Sequence, residues 1–184
     1  MVIFIHGFGS NGCSLKARLL KEYFEKEGIP FISPSLPYIP KLAINTLEQL
    51  INSYEDVHLI GSSLGGFFSL YLSSKFNLKC VLINPSIYPY NTLSMPKIQY
   101  SFFDYSTFSW TEKHINSLKD FEVLHNDIIE DNIYLLLQKG DEILDYNESL
   151  KKLPYCKKII EEGGNHSFEG LHFHLDSIKD FFNL

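Results

Sequence analysis

Cysteine is scarce in this chain: three occur in 184 residues, Cys13, Cys80 and Cys156, and an odd number cannot pair completely. No two form a C-x-x-C, the spacing associated with thiol redox chemistry. Cys80 and Cys156 open apolar runs and read as buried, reduced thiols of a cytoplasmic protein. An excess of positive charge is also missing. With a net charge of −6, neither nucleic acid nor an anionic membrane surface is expected as a partner. No stretch reaches the roughly 20 apolar residues that cross a bilayer. Met1 to Ile5 is apolar but passes at once into His6-Gly7, with no basic leader and no cleavage site. The chain therefore reads as cytoplasmic, starting directly on its first strand. Metal and nucleotide signatures are lacking as well. His172 and His174 are two apart and would splay on a helix, and Gly61 to Gly66 does not fit G-x-G-x-x-G. No metal and no cofactor are expected.

What is present is the composition of one globular domain spanning residues 1–184, 45% hydrophobic and 21% charged, with 15 Phe and 11 Tyr. Short apolar runs alternate with helical patterns. Val2-Ile3-Phe4-Ile5, Ile29-Pro30-Phe31-Ile32, Val57-His58-Leu59-Ile60, Cys80-Val81-Leu82-Ile83, Ile133 to Leu137 and Lys158 to Ile160 read as strands. Between them, Leu15, Leu19, Tyr23 and Phe24 recur at helical spacing up to Gly28, and so do Leu42, Leu47, Leu50 and Ile51. Helices also follow residue 63, run from about Tyr146 to Lys152, and close the chain from about His172. Continuous apolar strands separated by helices predict a three-layer α/β architecture, a mostly parallel sheet of about six strands covered on both faces.

One stretch breaks this rhythm. About residues 86–131 carry many aromatics and one clear helix, near Thr111 to Phe121, with Ser109 and Glu112 spaced as a capping box. The stretch leaves from the carboxyl end of a strand, where open α/β sheets bind their ligands. It reads as a short cap over an apolar pocket.

The chemistry is carried by Gly61-Ser62-Ser63-Leu64-Gly65, set between an apolar strand and a helical run. This is the G-x-S-x-G nucleophile elbow, centred on Ser63. A serine on so sharp a turn leaves no room for side chains two positions either side, hence Gly61 and Gly65. Ser62 fits less well, because Ile60 and Leu64 would then stand where glycine is needed. A serine hydroxyl needs a base, and the base an orienting carboxylate. In chain order Ser, acid, His, the candidates are Asp141 after Gly140, with Glu142 and Asp145 as alternatives. They are followed by His166 on the Gly163-Gly164 loop, with His172 and His174 as rivals. Both loops follow predicted strands, on the edge of the sheet that carries Ser63. Backbone N–H groups of Leu64 and Phe8 are the expected oxyanion donors. His6 reads as a brace for the first loop, and His58, His114 and His125 as structural or exposed.

Phe4-Ile5-His6-Gly7-Phe8, the elbow, Ile83-Asn84-Pro85, Leu136 through Tyr146 with its Gly140-Asp141-Glu142-Ile143-Leu144-Asp145-Tyr146 core, and Glu162-Gly163-Gly164-Asn165-His166-Ser167-Phe168 run in order along nearly the whole chain. Together they resemble the YqiA-type bacterial esterases, small α/β-hydrolases also described as an uncharacterised protein family. The resemblance implies a minimal α/β-hydrolase fold without the usual antiparallel first strands. It also implies an esterase on short acyl esters, with Ser63 as nucleophile, Asp141 as acid and His166 as base. The expected partner is a small-molecule acyl ester or thioester. Acyl-CoA thioesterase or acyltransferase chemistry on the same triad, or a non-catalytic binding relative, are the alternative outcomes.

Overall fold

Period-two sorting of the strand residues builds the molecule. The structure, a computed structural model, describes all residues from Met1 to Leu184. Six strands form one parallel sheet: β1 (Val2–Ile5), β2 (Phe31–Ile32), β3 (His58–Ser63), β4 (Cys80–Pro85), and then β7 (Ile133–Gln138) and β8 (Lys157–Glu161). Their spatial order is β2-β1-β3-β4-β7-β8. Between β4 and β7 the chain inserts a separate antiparallel hairpin, β5 (Lys97–Tyr100) and β6 (Thr107–Trp110).

Every central strand is apolar on both sides because both faces are covered. Val2, Phe4, Ile60, Val81, Ile83, Tyr134 and Leu136 point to one face. There they pack on Ala17, Leu20 and Phe24 of α1 (Leu15–Lys26) and on Leu175, Ile178 and Phe182 of α7 (Leu175–Phe182). Ile3, Ile5, Leu59, Leu82, Leu135 and Leu137 point to the other face, onto α2 (Pro40–Asn52) and α3 (Leu64–Phe76). Ile115 and Leu118 of α5 (Glu112–Leu118) extend that second core. The chain adds β2 on one side of β1 and β3 on the other, so the order reverses between β1 and β3. In open α/β sheets that reversal opens a crevice at the strands' carboxyl ends.

Several local expectations shift. β2 pairs only at Phe31 and Ile32, because Pro30 has no N–H to donate; its carbonyl still accepts from the Val2 N–H. Leu15 is 80% exposed, since the apolar stripe of α1 begins at Ala17. The last helix starts at Leu175, after a 3₁₀ turn over Leu171–His174. α5 opens at Thr111, whose N–H is accepted by His114 Nδ1 at 3.3 Å, so Ser109 and Glu112 do not form the cap. The hairpin was unforeseen, although Lys97-Ile98-Gln99-Tyr100 and Thr107-Phe108-Ser109-Trp110 both alternate polar and apolar residues. Cys80 and Cys156 are buried and their thiols are pushed up to about 12 and about 11, whereas Cys13 is exposed. No helix is long and apolar enough to cross a membrane.

His58, at the start of β3, makes stability depend on pH. Its ring stacks on Phe182 at 4.7 Å and its Nδ1 is buried without a hydrogen-bond partner. Burial pushes its pKa down to about 4, helped by the N-terminal ammonium and Lys79. The unfolded imidazole takes a proton near pH 6.5, so from there down to about pH 4 only the unfolded state is protonated. Stability contributed by the neutral ring is therefore lost as pH falls through that window. His58→Phe is expected to lose less stability than the parent between about pH 7 and pH 4.5, measured by urea unfolding. Equal losses would remove His58 as the cause.

Candidate active site

Ser63 ends β3 and caps α3 in a backbone conformation that L-residues avoid, φ 56° and ψ −122°. Such a residue stores about 1–3 kcal/mol of strain, and the surrounding packing must hold it. The turn is held from both sides. The Ser63 carbonyl accepts from the Ser86 N–H at 3.0 Å, and the helix behind leaves no space for side chains. A Cβ on Gly61 would run into Ser69 Oγ and the Gly65 carbonyl, and one on Gly65 into the carbonyl of Ile5. The two glycines are thus required by close approach of backbone to backbone.

Three loops converge on the Ser63 hydroxyl. His166 Nε2 lies 3.0 Å from Ser63 Oγ across 103 residues of chain. Its Nδ1 lies 2.8 Å and 3.0 Å from the two oxygens of Asp141. The Asp141 side chain is 2% exposed, and its Oδ1 also accepts the Ile143 and Leu144 N–H groups, each at 2.9 Å. Those donors fix the plane of the carboxyl group. With Nδ1–H donated to that carboxylate, Nε2 is left as an acceptor facing the serine.

The rival residues have other work. Glu142 Oε2 accepts the backbone N–H of His166 at 3.0 Å, and Asp145 caps α6 (Tyr146–Lys152) through the Asn147 N–H. His174 Nε2 pairs with Glu161 at 2.9 Å and the His172 ring lies tilted against Phe173, and neither bonds the serine. His125 Nδ1 meets the Lys152 carbonyl at 3.2 Å.

The loop after β1 runs directly beneath the serine. A Cβ on Gly7 would lie 3.1 Å from Ser63 Cβ and 3.6 Å from its Oγ. His6 braces this loop: Nδ1 bonds the Gly7 carbonyl at 2.9 Å, and Nε2 accepts the Leu36 N–H at 2.9 Å. With one nitrogen donating and the other accepting, the ring is neutral, and burial lowers its pKa in the same sense. The Phe8 N–H makes no backbone hydrogen bond. Leu64, the first residue of α3, has no intrahelical acceptor for its own. The Phe8 ring wedges edge-on against Phe108 at 5.6 Å and Trp110 at 4.7 Å, while Tyr38 stacks on Phe108 at 4.6 Å. Phe102, in the hairpin turn, donates its N–H to the Gly9 carbonyl at 2.8 Å. The inserted hairpin is thereby bonded to the loop beside Ser63.

Residues 1–183 match the family described as Uncharacterised protein family (UPF0227). The chain belongs to that family. A UPF0227 protein of Yersinia pseudotuberculosis, serotype O:1b, is 25% identical over 192 residues, covering 100% of this chain and 99% of its own. Among solved structures, mouse alpha/beta hydrolase domain-containing protein 10 superposes with a TM-score of 0.75 at 21% identity, covering 99% of this chain and 89% of its own. A monoacylglycerol lipase of Paleococcus ferrophilus does so with a TM-score of 0.71 at 16% identity, covering 99% and 93%. The fold of this UPF0227 chain is that of the α/β-hydrolases.

Two polar residues that support the histidine loop of the UPF0227 chain escaped sequence reasoning. Asn84, at φ 39°, donates from Nδ2 to the Asn165 carbonyl at 2.9 Å and accepts the Gln138 N–H at 2.9 Å. Gln138 Oε1 accepts the Asn165 and Glu169 N–H groups, and its Nε2 donates to Glu161 and to the Glu169 carbonyl. Both are almost wholly buried. A glutamine ending the apolar run Ile133–Gln138 was the available signal, since buried amides are retained where every hydrogen bond is met.

Proposed function

We propose that this UPF0227 chain is a serine carboxylesterase that hydrolyses short acyl esters through an acyl-enzyme. The observation that carries the reading is the unbroken relay from Ser63 Oγ to His166 Nε2 at 3.0 Å and from His166 Nδ1 to Asp141 at 2.8 Å. Ser63 attacks the ester carbonyl while His166 accepts its proton, and His166 then gives that proton to the departing alcohol. Water repeats the sequence to release the acid. Asp141 holds the imidazole with Nε2 facing the hydroxyl and stabilises the imidazolium. The Phe8 and Leu64 amides, both free of backbone partners on their own element, serve as the donors for the oxyanion.

Residues 86–131 act as the cap of a single domain. Phe108 joins Phe8, Leu36, Tyr38, Leu64 and Phe68 around a cavity of about 270 Å³. That lies just under the roughly 300–1,000 Å³ of drug-sized ligand sites, which suits a short acyl chain. The resemblance to YqiA-type esterases and the lipase among the structural neighbours point the same way. A serine-directed fluorophosphonate is expected to label the parent chain at Ser63 and to leave Ser63→Ala unlabelled. Failure to label the folded parent would end the reading.

A further inference from the structure

The carboxyl edge of the sheet opens on two cavities, of which one holds a lysine ammonium. One is the aromatic cavity of about 270 Å³. The other, of about 310 Å³, contains Ser63 and His166 and is bounded by Ser14, Lys16 and Ser62. They meet at the loop after β1, whose His6, Gly7, Phe8 and Ser10 border both.

Lys16 carries a charge that no carboxylate of the chain pairs directly. Its Nζ donates to Ser62 Oγ at 2.6 Å, one residue before the elbow serine. No carboxylate of the chain lies within ion-pair distance of it. Burial pushes its pKa down to about 8, opposed by the more distant Asp141, whose carboxylate is already engaged by His166. A half-buried ammonium without a directly paired carboxylate is costly, and a ligand that brings one recovers part of that cost. Ser14 to Lys16 also begin α1, so the positive end of that helix dipole borders the same cavity.

The reaction direction assigns each cavity a half of the substrate. The leaving oxygen or sulfur must take its proton from His166 Nε2. His166 borders the Lys16 cavity and not the aromatic one, so the leaving group faces the former. Ser63 borders that same cavity, which leaves the acyl chain the aromatic cavity, reached past Leu64 beside the serine. We propose that Lys16, with Ser62, forms an anion subsite for the leaving group, so that the favoured substrates are acyl esters or thioesters whose alcohol or thiol bears a carboxylate or phosphate. The proposal rests on the serine-esterase reading above and adds to it the class of the leaving group.

The test compares acetate esters of meta- and para-hydroxyphenylacetate and of para-hydroxybenzylphosphonate with the esters of the uncharged hydroxyphenylacetamides. The parent is expected to favour one or both anionic series in kcat/KM, the carboxylate and phosphonate arms telling the two anions apart. Lys16→Met should lower the anionic-to-neutral ratio by about 10- to 100-fold, the range of one charge-assisted hydrogen bond, and Lys16→Arg should retain much of it. In the parent alone, hydroxyphenylacetate or hydroxybenzylphosphonate should slow fluorophosphonate labelling of Ser63 more than the amide does. A ratio unchanged by Lys16→Met, or a labelled parent with no anionic preference in turnover or protection, overturns the anion subsite. A folded parent that neither turns over any ester nor labels overturns the esterase reading as well.

Discussion

Ser63→Ala is expected to lower kcat on a short acyl ester by at least about 10⁴-fold, with the fold intact. In the proposed reaction the acyl bond forms on this hydroxyl, and neither neighbouring serine can take its place. Ser62 lies within the strand and its hydroxyl is held by Lys16, while Ser86 sits beyond β4. Alanine at φ 56° keeps the backbone strain of the elbow without adding to it, so the melting temperature should stay near that of the parent. A variant with most of the parent's activity would remove Ser63 from the chemistry. Steady-state kinetics with p-nitrophenyl acetate, paired with circular dichroism, makes the measurement.

Asp141→Asn is expected to lower kcat by about 10³- to 10⁴-fold although the side chain keeps its size. Two backbone donors, the Ile143 and Leu144 N–H groups, hold Oδ1. An amide in that place keeps its oxygen on those donors and turns its NH₂ toward His166 Nδ1. Nδ1 must then accept, the proton moves to Nε2, and the ring presents a donor to a hydroxyl that needs an acceptor. Loss of the negative charge also removes stabilisation of the imidazolium. Because the three groups act as one unit, Ser63→Ala combined with Asp141→Asn should be no slower than Ser63→Ala alone. A fall of less than tenfold in the single variant, or a multiplicative loss in the double, would shift the acid's role to another carboxylate. Glu142, bonded to the His166 backbone, is the first candidate.

Ser63 was legible because its elbow is a local construction. The glycine spacing follows from helix and strand passing within a Cβ of each other, and both elements announce themselves by apolar pattern. Asp141 and His166 were legible for a weaker reason: each follows a core strand, and parallel strands deliver their carboxyl-end loops to one edge. Glu142 and Asp145 could not be separated from Asp141 at that level. A carboxylate's partner depends on side-chain direction within one turn, and sequence order does not encode it. The hairpin of residues 97–110 was missed because its exposed, four-residue strands are short and lie among many aromatics. Asn84 and Gln138 were missed because their partners stand up to 82 and 31 residues away.

Strand and helix identity, the parallel sheet and the elbow follow from local pattern, since a side chain's hydrophobicity and a glycine's missing Cβ act within a few residues. Which carboxylate meets the imidazole, which histidine meets the serine, and where the unpaired ammonium of Lys16 sits were settled only by the folded chain. Those contacts join segments as far apart as 103 residues. Hydrogen bonds and charges of that kind act over a few ångströms, so they exist only once packing of the two cores has brought the loops together.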